Sequence, residues 1–462
     1  VMAHSRSADV FGRRAALVAV AFCVAFAAGC GSAFESPLPD RGQVHFPIGL
    51  EMHPDGRFLY VVNTNFNARF RPDSGGTVSV VDTRSMEIRA ESTPFIPSFG
   101  GGIELNDDAS RAYVAVREQN QLISLHVSGS TARADAGASL FCLDDSGEAT
   151  SDPDNCSIEQ IPRRSSGTPL PTDPFDLSVT TVRRDVPDDS SSAEVPVDVV
   201  ALSYLGSNQV STITIPDRQL GNAAIESAAL IAGSNAIVRR PETLSFYVAG
   251  RDTNVVGRFS PFLNFRNSGT FGEVEAIFDQ GRIPVSSFRS RSGLVSIDAR
   301  GVGFDPEGRR LYVAARQPDA LYIFDLVAEN IETGSGLAHR HAATIPLSDN
   351  PSDLFVHERP DGRRLIYVPS FEDEVIDVVD PEIERVVDRI ELPASPHEMV
   401  TGRGPDRCEG PGTPCRAFVS LFDDPGTRSG TCGANVEQCG SIGVIDLDPT
   451  SPRYHRIIRK IR

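Results

Sequence analysis

Three short runs of this chain set a carboxylate close behind a proline: Pro174-Phe175-Asp176, Pro351-Ser352-Asp353 and Pro396-His397-Glu398. Asp176, Asp353, His397 and Glu398 are hard or borderline ligands, and if they converge they form a candidate site for a divalent cation. The competing interpretation is that short polar residues meet water there and cap exposed backbone groups. Other chemistries have no matching residues. There is no Cys-x-x-Cys-His for covalent haem, and with no tryptophan in the chain there is no tryptophan-derived quinone. No Walker loop or Gly-x-Gly-x-x-Gly opens a helix, because Gly100-Gly101-Gly102 runs on as Ile-Glu-Leu, a strand pattern. A Gly-x-Ser-x-Gly elbow is also missing. His339 and His341 straddle Arg340 in a strand-like stretch, which predicts that both are exposed.

Bringing those acids together falls to a repeated unit. Tyr60-Val61-Val62, Tyr113-Val114-Ala115, Tyr247-Val248-Ala249, Tyr312-Val313-Ala314 and Tyr367-Val368-Pro369 recur. Three of them follow Pro54-Asp55-Gly56-Arg57, Pro306-Glu307-Gly308-Arg309 or Pro360-Asp361-Gly362-Arg363. In such a turn, proline presets φ and glycine takes the left-handed position. A second apolar strand follows at a fixed distance. Thirteen residues separate Tyr312 from Asp325 and Tyr367 from Asp380, and the same offset joins Tyr113 to His126 and Tyr247 to Ser260. It also joins Ala201 to Thr214, which exposes a degenerate unit. Insertions lengthen it in two units, to 22 residues from Tyr60 to Asp82 and 28 from Phe418 to Asp446. Seven units result. Each alternates apolar and polar residues over strand-length runs, from Gly49-Leu50-Glu51-Met52 to an outer strand such as Arg385–Ile390, and none carries a sustained helical period. Units of this size must stack on one another to bury their faces.

The pattern resembles the YVTN-type β-propeller repeat family, most closely at Pro54 to Asp82, Asp305 to Asp325 and Pro360 to Asp380. The resemblance implies an all-β, seven-bladed β-propeller of four-stranded antiparallel blades. The blades are expected at about residues 45–98, 99–173, 174–234, 235–298, 299–349, 350–394 and 395–462. It leaves function open, because propellers host many activities. Seven-bladed lactonases and related hydrolases use axial acids, a metal or a histidine in roughly the arrangement sketched above.

Propeller connectivity turns the insertions into geometry. With strands lettered A to D outward from the axis, the B–C loops of blades one and seven, Phe66 to Gly76 and Asp423 to Gly440, rise side by side on one face. The inner strands start at that face. The opposite face carries Ser128 to Asn155 and the acidic, serine-rich stretch Arg183 to Pro196. Asp144, Asp145, Glu148, Asp152 and Asp154 miss the Asp-x-Asp-x-Asp-Gly spacing of a calcium loop, so a solvated loop is expected.

The first 29 residues read as a cleaved signal peptide. Arg13-Arg14 precede an apolar run from Ala15 to Ala28 that ends Ala27-Ala28-Gly29-Cys30, like a bacterial lipobox. Acylation of Cys30, a linker over residues 30–44 and a propeller over 45–462 follow, with ordinary cleavage after Ala27 as the alternative. Gly31-Ser32 after the cysteine carries no acidic residue, which favours the outer membrane. Acylating Cys30 and discarding Cys23 leaves six cysteines, in neighbouring pairs: Cys142 with Cys156, Cys408 with Cys415, Cys432 with Cys439. Each pair sits in one insertion, so disulfides are expected, although sequence does not fix the connectivity. Net charge is −18, and about −20 once residues 1–29 (three Arg, one Asp) are removed, which argues against nucleic acid or anionic headgroups as partners.

The leading expectation is a non-enzymatic, lipid-anchored monomer without a cofactor. It would bind a protein, glycan or small ligand through its axial mouth and the loops of blades seven and one. The alternatives are a metal-assisted periplasmic lactonase or esterase using Asp176, Asp353, His397 and Glu398, and a surface-layer or adhesion component.

Overall fold

The computed structural model describes residues 36–127, 140–143, 149–150, 159–161, 169–185, 194–218, 222–266, 270–285, 289–290, 293–294, 296–328, 337–359, 361–401, 415–424 and 439–462. Cys30 and the leader lie outside the described residues, as do Cys156, Cys408, Cys432 and the acidic cluster around Asp144. Residues 38–462 form one compact unit.

That unit is a seven-bladed β-propeller. The inner, A, strands of its blades are Pro47–Met52, Gly100–Leu105, Pro174–Asp185, Ser234–Arg239, Ala299–Phe304, Phe355–Glu358 and Pro396–Thr401. Each pairs antiparallel with a B strand: Phe58–Asn63, Arg111–Val116, Glu194–Tyr204, Phe246–Gly250, Arg310–Arg316, Arg364–Ser370 and Arg416–Asp424. C and D strands follow outward in sequence order. Blade two adds a short hairpin, Leu140–Leu143 with Ala149–Thr150, at its outer edge. The ends of the stretch expected as a loop at Arg183 to Pro196 instead continue a strand pair, through Asp185 opposite Glu194.

The repeat now has a physical reading. Gly56, Gly308 and Gly362 sit at φ of 71°, 62° and 76°, the left-handed region that the turn requires. An arginine at the end of the turn or just after it reaches the aspartate closing the C strand: Arg57 to Asp82 (3.4 Å), Arg310 to Asp325 (3.2 Å) and Arg363 to Asp380 (2.9 Å). Turn and closing residue are therefore coupled within one blade. Tyr60, Tyr113, Tyr247, Tyr312 and Tyr367 are all buried, and each packs into the apolar layer shared with the following blade.

Seven such layers exist, one per blade interface. Where blade three has Ala201 in place of tyrosine, Phe246, Phe259 and Phe271 of blade four occupy the same layer. At the last interface Phe418 does the tyrosine's work against Leu50, Met52 and Val61. All four strands of blade seven come from residues 396–461, so among the described residues the ring closes by packing and not by an exchanged strand.

His339 corrects an expectation. It is half-buried, with Nε2 3.2 Å from the Tyr247 hydroxyl, because the outer strand of blade five folds against blade four. Burial, with Arg258 and Arg240 nearby, holds it down at about 4. His341, two residues on, is exposed as expected.

The tyrosines differ in what their hydroxyls do. Tyr113 donates to buried Asp198 at 2.8 Å, whereas the buried Tyr312 hydroxyl has no partner among the described residues. Tyr113→Phe is expected to cost about 1–2 kcal/mol in urea unfolding, and Tyr312→Phe to be neutral or slightly stabilising. Equal costs for the two would contradict this account.

Candidate functional site

Each inner strand is a sheet edge, paired on one side only, and consecutive inner strands touch around the axis. They approach too closely for side chains everywhere. A Cβ on Gly101 would come within 2.1 Å of the Phe175 carbonyl oxygen, and one on Gly49 within 2.5 Å of that of Gly101. Every inner strand also starts with one residue more than its B-strand partner, a bulge that re-aims side chains toward the axis. In blades three and seven a buried serine mends the interrupted ladder. Ser203 accepts from the Asp176 N–H at 3.2 Å, and Ser420 accepts from the Glu398 N–H at 2.9 Å.

All four predicted residues line one cavity of about 140 Å³ on the axis. Two of the acids have a structural task there. Asp176 accepts the Ile237 N–H of blade four at 2.9 Å, and Glu398 accepts the Leu50 N–H of blade one at 3.0 Å. Sequence reasoning missed a third, Glu104, which accepts the Val179 N–H of blade three at 2.7 Å. The available signal was its alternation with Gly102 on the axis-facing side of an inner strand. Asn235 and Ser352, also missed, do the same with donors: Asn235 Nδ2 to Arg300 O at 3.0 Å and Ser352 Oγ to His397 O at 2.8 Å.

His397 completes the set. Its Nδ1 lies 3.1 Å from the Ile48 carbonyl, which can only accept, so Nδ1 carries the proton and Nε2 a lone pair. Burial, opposed by that hydrogen bond and reinforced by Arg316 and Arg300, keeps the ring neutral down to about 4. Burial pushes Asp176 up to about 7, and burial together with the charge of Asp176 does the same to Asp353. Glu398 and Glu104 are pushed well above the ordinary carboxylate range, again chiefly by burial. All four acids are only partly buried, and Asp176, Asp353 and Glu398 line the cavity.

Part of the donor set a metal would need is already committed to the blade interfaces. Among the described residues no group of three or more His, Cys, Asp or Glu could hold an ion. Asp176 and Glu398 each spend an oxygen, and His397 a ring nitrogen, on the neighbouring blade.

Above this floor the axis widens into a mouth of about 310 Å³. Phe66 from the blade-one insertion and Phe422 from the root of the blade-seven insertion meet there, with ring centroids 5.1 Å apart. Phe46 and Phe371 lie 5.2 and 6.0 Å from Phe422. The expected adjacency of the two insertions thus holds at their roots; residues 425–438 lie outside the described residues. Phe99, also on the mouth wall, has φ of 59°, a backbone setting uncommon for an aromatic residue.

No family profile matches this chain and no curated protein matches it. Solved structures do. Chaetomium thermophilum Sqt1, bound to the N-terminus of ribosomal protein L10, aligns over 93% of this chain and 90% of its own at 12% identity, with a TM-score of 0.51. The Pseudomonas aeruginosa periplasmic gluconolactonase aligns over 76% and 87% at 17% identity, with a TM-score of 0.46. A protein from Lactobacillus plantarum aligns over 75% and 85% at 15% identity, with a TM-score of 0.49. At these identities the likeness concerns the fold alone.

The raised Asp176 has a thermodynamic consequence. Between its ordinary value near 3.8 and about 7 the unfolded chain releases a proton that the folded chain keeps. Folding stability therefore falls as pH rises through that window, and the deficit is complete above it. Asp176→Asn keeps an acceptor for Ile237 and removes the charge. Its stability relative to the parent should rise from pH 5 to pH 8, by at most about 1.4 kcal/mol per pH unit. A pH-independent difference in urea unfolding would refute the assignment.

Proposed function

We propose that this protein is a ligand-binding propeller of the YVTN type that takes a small molecule at its axial mouth. One observation carries the reading. Phenylalanines from blades six, seven and one converge on a cavity of about 310 Å³, the lower end of the range typical of small-ligand sites. Phe66 is 60% exposed, an expensive placement for a residue that only packs. Below it the polar floor offers a neutral imidazole nitrogen and partly spent carboxyls, which can orient hydroxyl or amide groups of a ligand.

A second reading, hydrolysis of an ester or lactone, draws support from His397. A neutral ring with Nδ1 anchored leaves Nε2 to accept a proton beside two acids titrating near 7. This form of the reaction involves no metal.

The cellular setting belongs to the same proposal: export, acylation at Cys30, residence at the outer membrane as a monomer, and local disulfides among the six cysteines of the insertions. A protein or glycan engaging the loops of blades seven and one is compatible with the same face, and so is a surface-layer or adhesion role. The charge of −18 disfavours nucleic acid.

Fragments that bind the purified chain in ligand-observed NMR should lose affinity about tenfold in Phe422→Ala. Phe262→Ala, at an exposed position on the third strand of blade four, should leave them unaffected. Hits indifferent to Phe422 would sink the mouth reading. Ester or lactone turnover that disappears in His397→Gln would replace binding with hydrolysis. Metabolic labelling with palmitate should mark the parent and fail in Cys30→Ala; persistent labelling would refute the anchor.

A further inference from the structure

The mouth has two unlike sides, and equivalent positions in the repeat create them. In every blade the residue that follows the first B-strand pair donates its backbone N–H to the carbonyl just before the inner strand. In blades six and seven that residue is Phe371 or Phe422, and in blade one it is Thr64, two residues before Phe66. In blades two, four and five it is Arg117, Arg251 or Arg316. The rim is therefore aromatic on one arc and, apart from Leu205 of blade three, cationic on the other, in a protein whose overall charge is strongly negative.

The arginines are not equally satisfied. Arg117 pairs with Asp173 through both ends of its guanidinium. Arg300, on the inner strand of blade five, pairs with Asp298 at 2.7 and 3.1 Å, and Arg251 approaches the same carboxylate at 3.7 Å. Among the described residues the Arg316 side chain makes one hydrogen bond, from Nε to the Pro351 carbonyl at 2.8 Å. Among the described residues no carboxylate lies within ion-pair distance of it. Arg300 and Arg251 thus share Asp298, and the half-buried Arg316 beside them, with no carboxylate in reach among the described residues, lines the mouth together with Arg300, Phe371 and Phe422. Burial, then the field of Arg300, pulls Arg316 down to about 10, so it is the cation with most to gain from a counter-charge.

We propose that the ligand of this mouth is an amphiphilic carboxylate, its anionic end on Arg316 beside Arg300 and its apolar body against Phe371, Phe422 and Phe66. The inference rests on the small-ligand reading above and names the chemical class. A planar guanidinium with free terminal N–H groups accepts a carboxylate in a forked geometry. The aromatic arc supplies dispersion and area for a ring or alkyl body.

The test compares matched pairs by calorimetric titration of the full chain: 2-naphthoate with 2-naphthamide, and octanoate with octanamide. Each acid should bind about tenfold to a hundredfold more tightly than its amide. Arg316→Gln should abolish that preference while leaving the amide unchanged, and Arg316→Lys should restore part of it, with unaltered thermal melts showing that both variants fold. Acid and amide binding equally, or an unaltered preference in Arg316→Gln, would overturn the inference. If that equal binding still falls in Phe422→Ala, the mouth reading survives on its own. No binding of either pair at millimolar concentration would overturn both. Inorganic phosphate binding as tightly as the acids would overturn the amphiphilic assignment, since it has no apolar body.

Discussion

Seven inner strands meet around one axis, and none has a partner on its inner side. Every backbone group on those edges that the ladder leaves over must be satisfied by the next blade or by water. The chain meets this constraint with glycines where backbones touch, with bulges that turn side chains inward, and with polar side chains that reach across the interface. Asp176, Glu398 and Glu104 each take one N–H from the following blade, while Asn235, Ser352 and His397 give to its carbonyls. The perturbed acids of the axis are thus a product of ring closure first. Carboxyls recruited to mend an edge in a narrow space lose water, and lost water is what raises them.

Outward from the axis the same blades adhere through apolar layers, one per interface. Tyrosine serves this purpose because its ring fills the layer while its hydroxyl finds a polar contact on the following blade, as Tyr113 does with Asp198, Tyr247 with His339 and Tyr367 with His455. Tyr312 fills the layer without such a contact, which shows that packing is the requirement and the hydroxyl an option. Alanine in blade three and phenylalanine in blade seven obey the same rule with different volumes.

Function is sought where neither requirement applies. The rim position after each B strand is held by its backbone, so its side chain is free to vary. Around the ring it is threonine, arginine, leucine, arginine, arginine, phenylalanine and phenylalanine. Such variation on an invariant backbone bond gives the mouth its two sides, and the insertions of blades one and seven rise from its aromatic arc.

The seven blades, their strands and their turns were legible in the residues. A hairpin register is a local matter: the thirteen-residue offset between Tyr312 and Asp325 marks one hairpin, in which Tyr312 pairs with Ile323 and Asp325 with Arg310, and periodicity reports such pairing directly. The arrival of Asp176, Asp353, His397 and Glu398 at one cavity was also foreseeable, since connectivity sends the starts of all inner strands to one end. Their condition was not. Leu50 and Glu398 stand 348 residues apart, and only closure of the ring brings that N–H to that carboxylate. The tautomer of His397, the burial of His339 and the bond from Arg316 to the Pro351 carbonyl depend likewise on which blade lies alongside. Sequence by itself determined the repeating unit, because that unit is built from neighbours in the chain. The tertiary structure decided the chemistry of the axis and its mouth, because solvation and charge there are set by residues the chain meets only after it has gone all the way round.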